Sequence, residues 1–200
     1  MQSPFVSAGL MTTAMLLGHT AMAADDTRKF EIGFSYGKSD QIFDASAQNG
    51  SGTERSSSGD LWLGYPFTPT FGAQFGYWMI SSGHVSGEIT ATGSNGRQTR
   101  YTDLLRDVDG WSLSGTATWP INDWVRLTGR AGLLFWHTET RATEFLFQSR
   151  TLRSASGESP TFGLGLAAGD SWGFRVDYDR FFDVDDATVK TITGGLFWRF

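Results

Sequence analysis

Apolar and polar residues alternate with a period of two in eight stretches of this chain, and that period predicts strands, because a helix would repeat every 3.6 residues. The first sets Phe30, Ile32, Phe34 and Tyr36 against Glu31, Gly33 and Ser35, and the second sets Leu61, Leu63 and Tyr65 against Asp60, Trp62 and Gly64. In the third, Phe71, Ala73, Phe75, Tyr77 and Met79 oppose Gly72, Gln74 and Gly76; in the fourth, Trp111, Leu113, Ala117 and Trp119 oppose Ser112, Ser114, Thr116 and Thr118. The fifth alternates Val125, Leu127, Ala131, Leu133 and Phe135 with Arg126, Thr128, Arg130 and Gly132. The sixth runs Phe162, Leu164, Leu166 over Gly163 and Gly165, and the seventh runs Phe174, Val176, Tyr178 over Arg175, Asp177 and Asp179. The eighth closes the chain with Ile192, Leu196, Trp198 and Phe200 on one face.

The connections have a rhythm of their own. Short turns rich in Pro, Gly, Asn or Asp fall at Pro66–Thr70, Pro120–Asp123 and Gly169–Ser171. Between them lie long polar stretches, Ser39–Ser57, Ser81–Asp109 and Thr138–Pro160, which are expected to be loops. Loops of that length are uncommon inside a compact soluble domain. One apolar and one polar face on every strand, with long and short connections alternating, predicts an all-β, eight-stranded antiparallel up-and-down transmembrane β-barrel, lipid outside and polar lumen inside. Aromatics collect near both strand ends: Tyr65, Phe71, Trp119, Trp124, Trp172, Phe174 and Phe200 by the short turns, and Tyr36, Tyr77, Trp111, Phe135 and Tyr178 by the long loops. Two interfacial belts have that form. A soluble sandwich is the alternative, but it has no use for a polar face carrying Arg126, Arg130, Arg175 and Asp177 opposite an apolar one.

The ends of the chain add a route. Phe5–Gly18 is uncharged and mostly apolar and is followed by Ala21-Met22-Ala23, so residues 1–23 are expected to form a secretory signal peptide cleaved at the small residues Ala21 and Ala23, leaving 24–200 as the barrel domain. The usual Lys or Arg near the start is missing. The stretch is too short and too interrupted to span a bilayer as a helix. With no cysteine, neither disulfides nor thiolate metal sites are available, and a net charge of −5 argues against nucleic acid as a partner.

The terminal pattern of Thr193, Gly195, Trp198 and Phe200 resembles the C-terminal assembly signal of bacterial outer-membrane barrels. Together with Gly64–Trp78, Phe162–Leu166 and Gly173–Phe181, it makes the chain resemble the small OmpA/OmpX-type barrels, the opacity-like or porin-family proteins. The resemblance implies a Gram-negative outer-membrane location, and recognition of the last strand by the barrel-assembly machinery. It implies no peptidoglycan-binding domain, because the chain ends on the barrel's last strand.

Alternation points Glu31, Asp60, Arg126, Arg130, Arg175, Asp177 and Asp179 into the lumen, where charges excluded from lipid must pair or meet water. Eight strands enclose a space that side chains largely fill. A stiffening network of ion pairs is therefore expected, with Gly64, Gly163 and Gly165 leaving room for it. Arg180 and Lys190 fall on the outward parity near the outer rim, within reach of lipopolysaccharide phosphates. The run Asp183-Val184-Asp185-Asp186 is expected to be solvated loop charge, since it lacks the ligand count of a calcium loop. His84 and Ser86 with Glu88 faintly resemble the His-x-Ser of outer-membrane lipid A deacylases, but the surrounding residues do not match and nothing supplies an oxyanion hole. His137 begins another of the long stretches and is expected to be an interfacial or surface residue.

The expectation is a monomeric outer-membrane barrel, not an enzyme and without cofactor, whose long loops carry adhesion or surface contact with a host or surface ligand. The main alternative is a small-solute porin or narrow channel, and a lipid-modifying hydrolase comes a distant third.

Overall fold

A computed structural model describes residues 30–43, 53–81, 84–92, 98–143 and 149–200. Ala21, Ala23 and the rest of the expected signal peptide lie outside them. Among the described residues there are nine strands: β1 Glu31–Phe43, β2 Thr53–Pro66, β3 Phe71–Ser81, β4 His84–Thr92, β5 Gln98–Pro120, β6 Val125–Thr143, β7 Ser149–Gly169, β8 Trp172–Val184 and β9 Ala187–Arg199. Eight of them form a closed antiparallel barrel in the order β1-β2-β3-β5-β6-β7-β8-β9. It shuts where β9 returns to β1, with Phe34 opposite Leu196 and Glu31 opposite Arg199. Closure satisfies every ladder and leaves no strand edge in lipid.

The ninth strand, β4, lies outside the ring and pairs only with the first part of β5, from His84 opposite Leu105 to Thr92 opposite Gln98. It corrects one expectation. The stretches read as long loops are largely strand: β5 has 23 residues, β6 19 and β7 21. An apolar band about 25 Å tall, crossed by tilted strands, uses roughly ten residues, so about half of β5 stands beyond the membrane. Period-two hydrophobicity is weak there because polar residues fall on both parities along most of these stretches, while backbone pairing continues regardless.

The short turns form as their residues dictate. In the β2–β3 turn, Phe67 N and Thr68 N both donate to Phe71 O at 2.9 Å, and Thr68 Oγ1 accepts from Phe71 N at 2.8 Å. Asn122 Oδ1 accepts from Trp124 N and Val125 N in the β5–β6 turn, each at 2.8 Å. Gly169 opens the β7–β8 turn at φ 123°, a region where a side chain would be strained.

Outside, the barrel is apolar: Phe34, Leu61, Phe75, Leu113, Leu164, Val176 and Ile192 are all exposed. In water that surface would aggregate; in lipid it is what holds the protein in place. At the short-turn end aromatic rings touch across three strands, Phe67 to Tyr65 to Phe30 to Phe200 to Trp198, with centroids 4.9–6.1 Å apart. At the other end Trp111 packs between Phe75 and Tyr77 at 5.1 and 4.6 Å. The expected terminal signal runs along β9 and one residue past it, with Thr193 buried inside and Trp198 and Phe200 exposed in the girdle.

Candidate functional site: a layered lumen

Inward-facing side chains stack in three layers. The middle layer is charged. Arg130 on β6 donates through Nε to Asp179 Oδ1 at 2.7 Å and through Nη2 to Asp179 Oδ2, and its Nη1 lies 3.2 Å from Asp177 Oδ1. The same Asp177 oxygen accepts from Arg175 Nε at 2.7 Å. These groups are at most 5% exposed. Asp60 is buried beside them and accepts from Ser35 Oγ. The sheet makes room by leaving side chains out: a Cβ on Gly163 would sit 2.5 Å from Arg130 Nε and 2.8 Å from its Cγ. Gly165 does the same beside Arg175 Nε, at 3.2 Å. Gly64 is different, since a Cβ there would make only ordinary contacts at 3.6–3.7 Å.

Toward the short turns lies a wetter layer. Glu31 Oε2 accepts from Arg126 Nη2 at 2.8 Å and from Arg199 Nε, while Arg175 Nη1 stands 3.9 Å from Oε1. All seven lumen charges named from alternation thus face inward, joined by Arg199 and Gln74, which alternation did not single out. Arg199 follows Trp198 on the inward parity, so the same rule would have found it.

Toward the hairpins the lumen holds an apolar cluster set among buried polar side chains such as Gln41, Thr138 and Arg106, which the expectation of a charged plug did not contain. Trp78, Ile80, Val108, Leu134, Trp136, Phe181, Val184 and Val189 form one buried cluster. Its indoles are satisfied locally, Trp136 Nε1 donating to Ser159 Oγ at 2.7 Å and Trp78 Nε1 to Ser112 Oγ at 3.3 Å. Leu134, Val184 and Val189 are 0% exposed. These side chains pack against one another across the barrel interior at this level.

The β8–β9 turn completes the seal and corrects the reading of Asp183–Asp186 as solvated charge. Asp183, Asp185 and Asp186 take positive φ angles of 55°, 49° and 65°, and the pairing slips between Phe181 and Val184. That geometry turns Val184 and Asp185 inward. Arg106 Nη2 donates to Val184 O at 2.8 Å and Asp185 O at 3.2 Å and lies 3.3 Å from Asp185 Oδ2, while Ser159 Oγ donates to Asp183 O at 3.0 Å. Asp183 and Asp186 alone stay exposed.

On the outer wall, Arg180 of β8, Lys190 of β9, Asp40 of β1 and Arg55 of β2 fall in one cross-strand row. Arg180 lies over the Phe182 ring at 4.6 Å, and Arg55 Nε is 3.8 Å from Asp40 Oδ1. His137 is half-buried on the β6–β7 wall, its Nδ1 2.8 Å from Ser156 Oγ. The backbones of His84 and Ser86 pair within β4; their side chains, with that of Glu88, lie outside the described residues.

A family model for the outer membrane protein beta-barrel domain matches residues 10–200. Among solved structures, Ail, the attachment invasion locus protein of Yersinia pestis, is 20% identical, with 85% of this chain and 98% of that one covered and a TM-score of 0.52. Neisserial surface protein A is 10% identical, with 86% and 97% covered and a TM-score of 0.58. The N-terminal beta-barrel domain of Pseudomonas aeruginosa OprF is 12% identical, with 86% and 98% covered and a TM-score of 0.51. At these identities the likeness is one of fold. No curated protein matches the chain.

Proposed function

The chain belongs to the outer membrane β-barrel family, and from that premise we propose that it is a closed scaffold, not an enzyme and not a channel, whose projecting hairpins make contacts at the cell surface. The observation that carries this reading is a pairing of opposites: buried side chains pack across the middle and hairpin end of the lumen, while β5, β6 and β7 continue far past the apolar band. A solute pathway has no room in the first, and the second builds a polar surface with no part in spanning lipid. Rigid scaffolds commonly carry function on such projections.

Three further proposals follow from the same reading. The row of Arg180 and Lys190, with Lys38 exposed just below it, meets phosphates of lipopolysaccharide at the outer rim. Thr193, Gly195, Trp198 and Phe200 act as the assembly signal, and the barrel works as a monomer. Deleting Phe200 then slows membrane insertion, read as accumulation of the unfolded, heat-unmodified band; unchanged insertion refutes the role.

The main test trims the hairpins. Replacing residues 83–105 and 140–153 with short turns abolishes attachment of cells displaying the protein to host cells or surfaces, while the refolded parent barrel stays electrically silent in planar bilayers. Steady single-channel openings by the parent would overturn the reading in favour of transport.

A further inference from the structure

At the short-turn end, which in this family faces the periplasm, the sealed lumen opens into a vestibule of about 230 Å³. Its walls include three arginines, Arg126, Arg175 and Arg199, against two carboxylates, Glu31 and Asp170. Glu31 is shared among all three guanidiniums, and Asp170 is exposed at the rim. At the opening, then, three guanidiniums share one buried carboxylate, Glu31, with Asp177 below as a second partner of Arg175.

Arg175 is the informative one. Its guanidinium lies over the Trp62 ring, Cζ 4.6 Å from the centroid, with Nε on Asp177 at 2.7 Å and Nη1 on Gln74 Oε1 at 3.2 Å. The side chain is 5% exposed, yet its Nη2 is buried with no hydrogen-bond partner. A buried charged donor without an acceptor is costly, and the planar fork of a guanidinium suits an oxyanion. Arg126 and Arg199 are held in a related way, lying against the Phe197 ring at 4.7 and 5.5 Å. Stacking fixes all three before any ligand arrives, which lowers the ordering cost of binding.

We propose that this vestibule is a binding site for a small oxyanion, a phosphate or carboxylate group presented from the short-turn side, received by Arg175 with Arg126 and Arg199. The site does not depend on what the outer hairpins contact. Its chemistry is common to a free ion and to a group carried on a larger periplasmic molecule.

Titration calorimetry of the full-length barrel refolded in detergent tests it, with sodium phosphate and sodium succinate as probes at constant ionic strength. A single saturable site for at least one of them is expected, and which anion saturates assigns phosphate or carboxylate. Arg175→Gln weakens the apparent affinity at least tenfold. Because that variant also strips a partner from Asp177, Gly64→Leu serves as the second: a Cβ there meets Trp62 and Glu31 only at ordinary contact distances of 3.6–3.7 Å, and the new side chain occupies the vestibule while every arginine is kept. Loss of binding with an unchanged unfolding midpoint in Gly64→Leu supports the site. No saturation by either anion, or saturation untouched in both variants, overturns it.

Discussion

The two halves of the lumen solve the same problem with opposite chemistry. Toward the hairpins, indoles and aliphatic side chains exclude water, and the β8–β9 turn is drawn in to finish the packing. Toward the short turns, arginines and carboxylates fill the space, and the last of them meet an open vestibule. An apolar layer needs only volume and shape, whereas a charged layer needs every donor and acceptor placed. The apolar half therefore tolerates change more readily, and the charged half punishes the loss of any one member.

Removing Arg130 is the sharpest way to break that contrast. Arg130→Met leaves Asp177 and Asp179 buried without their shared cation, and should lower stability by about 5 kcal/mol, the upper end for splitting a buried pair. Urea unfolding of the refolded protein measures it, and a loss below 1 kcal/mol would mean that the layer is wet. Next is Phe181→Ala in the apolar half, where a cavity costs about 3 kcal/mol, at the low end because the neighbouring turn can settle into it. The same variant should remain silent in planar bilayers, since the charge layer still closes the lumen; channel openings would show that one layer does all the sealing.

At the mouth the effect shrinks. Arg126→Gln removes one of two strong hydrogen bonds to Glu31 and should cost about 1.5 kcal/mol. The smallest effect belongs to Arg55→Ala, whose partner Asp40 lies across an exposed pair; no shift of the unfolding midpoint should be resolved. A measurable loss there would assign the outer row a structural part and weaken the case for lipid contact.

Much of this architecture was legible without coordinates. A strand with lipid on one side and lumen on the other must alternate, so Glu31, Asp60, Arg126, Arg130, Arg175, Asp177 and Asp179 are marked as inward by parity alone. Composition marks the short turns equally well, because Asn122 and Gly169 are there for reasons of local backbone geometry. Parity fails where the two sides of a strand share one environment. At Trp78-Met79-Ile80 and Leu133–Trp136 both faces are apolar, so alternation vanishes locally, and only parity carried over from the rest of the strand puts Met79, Leu133 and Phe135 outside and leaves an apolar cluster inside. In the hairpins polar residues fall on both parities along most of the length, and their strands read as loops.

Local periodicity and the chemistry of single residues are enough to give the number of barrel strands, their inward and outward faces and the places of the short turns. Only the tertiary structure decided which charges share a carboxylate, that Val184 and Asp185 fold inward, and that one end of the lumen is dry while the other is open. Those outcomes depend on register between strands far apart in the chain, and a pattern read along one strand does not contain the neighbour that closing the barrel brings to it.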